Sequence, residues 1–164
     1  VAKLSIPNDQ AIACVTQTTL SVDDTKSIIH AIKQKYSHII EPKKSDICYA
    51  TTNRQMSVKR IASNCDLFIV IGAYNSSNSL RLVEVAKQYG ANNSMLIESV
   101  DKFDISLIDD VQNIGVTASA SAPEILVQNF IQFLKENFTI TVYEPEYIKE
   151  DINFKIPQQL KVAG

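Results

Sequence analysis

Apolar residues in this chain fall into short unbroken runs, separated by stretches in which they recur every third or fourth position. Leu67-Phe68-Ile69-Val70-Ile71 is the clearest run. It does not alternate, so it predicts a central parallel strand covered on both faces. Ala11-Ile12-Ala13-Cys14-Val15 predicts another strand buried on both faces, and Ser94-Met95-Leu96-Ile97 and Asn113-Ile114-Gly115-Val116-Thr117 predict two more. Helical patterns lie between them. One opens at the capping box Ser21-Val22-Asp23-Asp24 and runs to about Tyr36, with Ile28, Ile32 and Tyr36 on one face. A second follows Cys48 and carries Val58, Ile61 and Ala62 to about Asn64. A third runs from the 75–79 turn to Tyr89, with Gly90 placed as its C-cap. A short piece spans Ile105 to Asp109, and a long final helix buries Leu126, Phe130, Phe133 and Leu134. Thr139 to Tyr143 alternates as an edge strand, and the polar tail from Glu144 contains one extended piece, Ile152 to Ile156.

Strands alternating with helices imply right-handed βαβ units and a parallel sheet. The expected class is therefore α/β. Residues 45–143 form a three-layer α/β/α domain, and residues 144–164 form a tail. Residues 1–44 hold only one βα unit and part of another element, so they read as part of a preceding similar domain. The charged, proline-bearing Glu41-Pro42-Lys43-Lys44 marks the boundary.

Composition narrows the function. The 164 residues suffice for one ordinary domain plus part of another, and an apolar content of 45% supports a sizeable core. A net charge of −2 argues against duplex nucleic acid as a partner. No apolar run is long enough for a membrane span. Three scattered cysteines, Cys14, Cys48 and Cys65, form no C-x-x-C pair and no zinc spacing, which fits a reducing, cytoplasmic setting. The first residue is Val rather than Met, which suggests a fragment or a processed chain. With four glycines in all, neither a P-loop nor a G-x-G-x-x-G fingerprint exists.

One arrangement recurs: an apolar strand, a loop of small hydroxyl or amide residues, a helix start. The loops are residues 16–21, 48–53, 75–79 and 117–121. In parallel sheets such loops gather at the carboxyl ends of the strands, where helix N-termini and free N–H groups favour anions. Several loops meeting there would cradle phosphate without a lysine cluster. Ser21-x-x-Asp24, Thr52-x-x-Gln55 and Ser121-x-x-Glu124 also read simply as caps. Asn75-Ser76-Ser77-Asn78-Ser79 exceeds what capping needs. Cys48, at a helix start, suits a nucleophilic or metal-binding thiolate, while on local features alone a small buried hydrophobe is the simpler reading. Cys14 and Cys65 read as packing residues, His30 and His38 as solvated, and the adjacent Asp109 and Asp110 as no acid–base pair.

Four stretches carry a resemblance: Thr16-Gln17-Thr18-Thr19-Leu20-Ser21, Asp46-Ile47-Cys48-Tyr49-Ala50-Thr51-Thr52-Asn53-Arg54-Gln55, Asn75-Ser76-Ser77-Asn78-Ser79 and Ala120-Ser121-Ala122-Pro123-Glu124-Ile125-Leu126-Val127-Gln128-Asn129. In order and spacing they resemble the 4-hydroxy-3-methylbut-2-enyl diphosphate reductase (LytB/IspH) family, over essentially the whole chain but only the carboxyl-terminal half of the family's length. The resemblance implies a trefoil of three α/β/α domains around a 4Fe–4S cluster, each domain giving one cysteine ligand. Residues 1–44 would then be the end of the family's middle domain. The implied reaction is reductive loss of the allylic hydroxyl as water, giving isopentenyl and dimethylallyl diphosphate at the end of the non-mevalonate isoprenoid pathway. Ferredoxin or flavodoxin would be the electron donor.

Carried over by the same resemblance, Cys48 is a cluster ligand, and Thr18 is the hydroxyl beside the substrate alcohol. Ser76, Ser77, Asn78 and Ser121 hold the diphosphate. The other two cysteine ligands, the diphosphate histidines and the proton-donating glutamate belong to the amino-terminal half. Ser119 stands where the family is expected to have glycine, which puts that loop's backbone in question. With one ligand, the chain is expected to be inactive alone. The alternatives are a diphosphate-binding α/β module and a remnant without redox chemistry.

Overall fold

The computed structural model describes residues 1–7, 9–41 and 45–145. Three strands, β3 (Leu67–Ile71), β4 (Asn93–Ile97) and β5 (Ile114–Ala118), form an all-parallel sheet in the order β4-β3-β5. β3 is central, as its unbroken apolar run requires, and all five of its residues are buried. Leu67, Ile69 and Ile71 point to one apolar cluster with Phe130 and Leu134 of α4 (Glu124–Asn137). Phe68 and Val70 point to the other, with Val58 of α2 (Tyr49–Ile61) and Leu82, Val85 and Ala86 of α3 (Ser77–Gln88). The sandwich is therefore α2 and α3, then the sheet, then α4. Single-turn 3₁₀ helices at Ala62–Asn64, Val100–Lys102 and Ile105–Ile108 link the layers. Gly90, at φ 102°, takes the left-handed turn just past α3, a conformation that glycine adopts without a Cβ clash.

The first forty residues form a smaller unit: β1 (Ile12–Ala13), α1 (Val22–Lys35) and β2 (Ile39–Ile40), the two strands paired in parallel. Here the buried-strand expectation fails. β1 is two residues long, Ala13 is exposed, Val15 is 81% exposed and Ile40 is 62% exposed. A strand is buried on both faces only where two layers cover it; here Ile12 and Ile39 are half-buried on one face while Ala13 and Ile40 are exposed on the other. The expected α1 stripe holds in part: Tyr36 is buried, but Ile28 is exposed and Thr25 is buried. Neither large apolar cluster includes a residue before Val58.

Three further expectations change. The strand before Cys48, β2, ends at Ile40, and the described residues 45–47 next to the cysteine form none; residues 139–143 form none either, Ile140 packing against the core while Val142 and Tyr143 are exposed. Alternation there reports half-burial, not strand pairing. The piece from Ile152 to Ile156 and the pair Lys43-Lys44 lie outside the described residues. No helix among the described residues is long and apolar enough to cross a membrane.

Candidate functional site at the helix-start loops

Because β3 and β5 run parallel, their following loops share one edge of the sheet, and hydrogen bonds tie the other two loops to them. Cys48 is the N-cap residue of α2, with an exposed side chain that makes no cap bond. Its backbone N–H donates to the Thr18 carbonyl at 3.0 Å, and the Thr16 N–H donates to Asp46 Oδ2 at 2.9 Å. The 16–21 and 48–53 loops are thus tied main chain to main chain. Thr19 Oγ1 and Ser77 Oγ stand 2.6 Å apart, which joins the first loop to the 75–79 turn.

The 75–79 turn is set by Gly72, which follows the buried strand. A Cβ there would fall 2.3 Å from Ser79 Oγ and 3.0 Å from Ser119 Oγ, so only glycine lets the two loops meet over the strand end. Ser119 also donates its N–H to the Ile71 carbonyl at 2.9 Å. Its backbone is ordinary, since no non-glycine described residue has a positive φ, and the question of a serine in place of a glycine is answered without strain.

The expected site residues divide. Ser76 caps α3, accepting from the Ser79 N–H at 3.3 Å. Ser77 is exposed and paired with Thr19. Asn78 is 6% exposed, yet neither its Oδ1 nor its Nδ2 has a hydrogen-bond partner. Unpaired buried amides cost about 1–3 kcal/mol, so a side chain held this way is available to a ligand. Thr18 is exposed beside Cys48. Ser121 is exposed in the turn before α4, and its hydroxyl makes no hydrogen bond to the other loops; the cap pattern there fails because Pro123 is itself the N-cap and disfavours a helical Ala122. The buried serine facing the turn is Ser119 instead.

The other expected capping box fails as well. Thr52 lies inside α2, where its Oγ1 donates to the Cys48 carbonyl at 3.2 Å, and Gln55 turns inward. Only Ser21-x-x-Asp24 is realised, the Asp24 N–H donating to Ser21 Oγ at 3.2 Å.

Charge gathers beside the loops, at the start of α1. Lys59 Nζ lies 2.5 Å from Asp23 Oδ2, the Tyr89 hydroxyl donates to the same oxygen, and the ammonium sits 4.9 Å from the centre of the Tyr89 ring. The Lys59 and Tyr89 hydrogen bonds hold the Asp23 carboxyl below its ordinary pKa. Burial acts to lower the Lys59 ammonium, but its bond and charge interaction with Asp23 prevail, and the net shift is upward. Cys65, buried at the end of the 3₁₀ turn, donates Sγ–H to the Ile61 carbonyl; burial, then Asp66, push its thiol up. His30 is exposed and bonds only Gln34, as a solvated residue would.

The architecture is thus that of a parallel α/β protein with polar helix-start loops tied together at one sheet edge. The chain belongs to the LytB protein family, whose model matches residues 1–135. It is 49% identical over 162 residues to the 4-hydroxy-3-methylbut-2-enyl diphosphate reductase of Histophilus somni, and 44% identical over 163 residues to that of a Ruegeria species. These alignments cover 99% of this chain but 51% and 52% of the relatives, so the chain spans about half their length. The solved E-1-hydroxy-2-methyl-but-2-enyl-4-diphosphate reductase from Plasmodium falciparum superposes with a TM-score of 0.85 at 34% identity, over 96% of this chain and 50% of that one.

Proposed function

We propose that this chain supplies the carboxyl-terminal half of a 4-hydroxy-3-methylbut-2-enyl diphosphate reductase, an oxidoreductase of isoprenoid biosynthesis, and that it acts only with an amino-terminal half. The observation that carries the reading is Asn78: a buried amide with both polar atoms unpartnered, in a turn bonded to the Thr18-bearing loop. In this reading Ser76, Ser77 and Asn78 receive the diphosphate at the α3 N-terminus, with Ser121 closing from the α4 side. Thr18 stands beside the substrate's hydroxyl and passes it a proton. Residues 1–44 belong to the middle domain, 45–143 to the third and 144–164 to the tail.

A 4Fe–4S cluster fits this chain at one corner only. Cys48 offers an exposed thiol at a helix start, but no three His, Cys, Asp or Glu side chains gather among the described residues. Cys48 would hold one iron, and the remaining ligands would come from the other half. Once held, such a cluster supplies the electrons for C–O cleavage. Ferredoxin or flavodoxin would reduce it, in the cytoplasm, on the non-mevalonate route.

The test is iron and sulfide content after anaerobic reconstitution, with this chain alone and with the half of a relative that it does not cover. Reductase activity with the cluster formed only on mixing is the expected result. A stable cluster on the chain alone, or none on mixing, overturns the reading. For the alternative of a binding module without redox chemistry, pyrophosphate calorimetry decides: heat from the chain alone, with no activity on mixing, would favour it.

A further inference from the structure

Gln55 is fully buried, yet its partners are not in its own helix. Its Nε2 donates to the Leu20 carbonyl at 2.9 Å, and its Oε1 accepts from the Val22 N–H at 3.0 Å. Val22 is the first residue of α1, so its N–H is one that the helix cannot satisfy itself. One amide on α2 thus caps a helix 33 residues away while holding the carbonyl just before it. The loop between is pinned at its other end by Thr16 to Asp46 and by Thr18 to Cys48. Among the described residues, neither large apolar cluster reaches this region, so polar ties of this kind contribute to setting its place.

We propose that Gln55 is a positioning residue: it holds the 16–21 loop against α2 and so sets where Thr18 and Thr19 stand relative to Cys48 and the 75–79 turn. The consequence for ligand binding rests on the cradle proposed above; the consequence for the loop does not.

Hydrogen exchange on the full chain tests it, comparing Gln55→Leu and Gln55→Glu with the parent. Leucine removes donor and acceptor. Glutamate keeps an acceptor for Val22 and, in the protonated form that burial favours, an O–H donor for Leu20. The expected result is that Gln55→Leu speeds exchange at Val22 about tenfold, Gln55→Glu leaves it protected, and both leave the β3–β5 amides unchanged. A packing role predicts the opposite order, since leucine is the better apolar filler. That order, no change at Val22 in either variant, or a uniform rise across the sheet overturns the proposal. Pyrophosphate calorimetry on the same proteins separates the two readings. Binding by the parent, weakened several-fold in Gln55→Leu, extends the role to the cradle. No binding by the parent removes the cradle and leaves the exchange result to decide the loop.

Discussion

The Cys48 N–H donates to the Thr18 carbonyl at 3.0 Å, so the start of α2 and the threonine loop before α1 are held side by side. The thiol itself faces solvent. This joins the two residues that the proposed chemistry needs together, although thirty positions separate them in sequence.

Thiol reactivity follows from burial. In a titration of the folded chain with a disulfide reagent, Cys48 is expected to react first and Cys65 only on unfolding, because its thiol is buried, hydrogen-bonded to Ile61 and shifted up in pKa. Cys48→Ala should remove the fast phase. A fast phase that survives this substitution would mean that Cys14 is the open thiol.

Asn78 separates stability from binding. Replacing a buried amide that has no partner removes a desolvation cost, so Asn78→Ala should melt within about 1 kcal/mol of the parent, or above it. The same variant should lose most pyrophosphate affinity. Denaturant melts and calorimetry read the two effects independently, and unchanged affinity would take Asn78 out of the cradle.

The Asp23 cluster imposes a pH window. The folded-state pKa of Asp23 lies below its ordinary 3.8, so its contribution is full above that value and fades as pH falls through the lowered one. Lys59 is raised above 10.5, so its contribution is full below that value and fades at higher pH. Asp23→Asn should cost about 0.2–1 kcal/mol at neutral pH, as expected for a partly solvated pair, and the difference from the parent should close in acid. Urea melts across pH measure this.

Gly115 carries a packing limit. A Cβ there would meet the Phe68 ring at 2.5 Å and Cys65 Sγ at 2.8 Å, all within the buried core. Gly115→Ala should destabilise by about 1–3 kcal/mol, the usual range for overpacking, read as a lower denaturation midpoint with an unchanged slope.

Much of the sheet domain was legible because its signals are local. β3 declares itself by five consecutive apolar residues, α4 by its Leu126–Phe130–Phe133–Leu134 stripe, and the end of α3 by Gly90. The caps were less legible. Ser21 caps as expected, but the Thr52 and Ser121 boxes do not form, since α2 already starts at Tyr49 and Pro123 resets the start of α4. Gly72 was visible as a residue, but not the two serines that need it bare. Burial in the first unit was not legible, because an apolar run reports what a strand could bury and not what covers it.

The chain's own order of residues determined its α/β class, the strand and helix sites of the sheet domain, and the loops and residue types that carry the family resemblance; these depend on periodicity and on chemistry at fixed spacing. Tertiary structure alone decided that Thr19 meets Ser77, that Gln55 serves another helix, that Asn78 is buried without a partner and that Cys48 stays open. Each depends on which segments are brought together across tens of residues, which local periodicity and spacing do not encode.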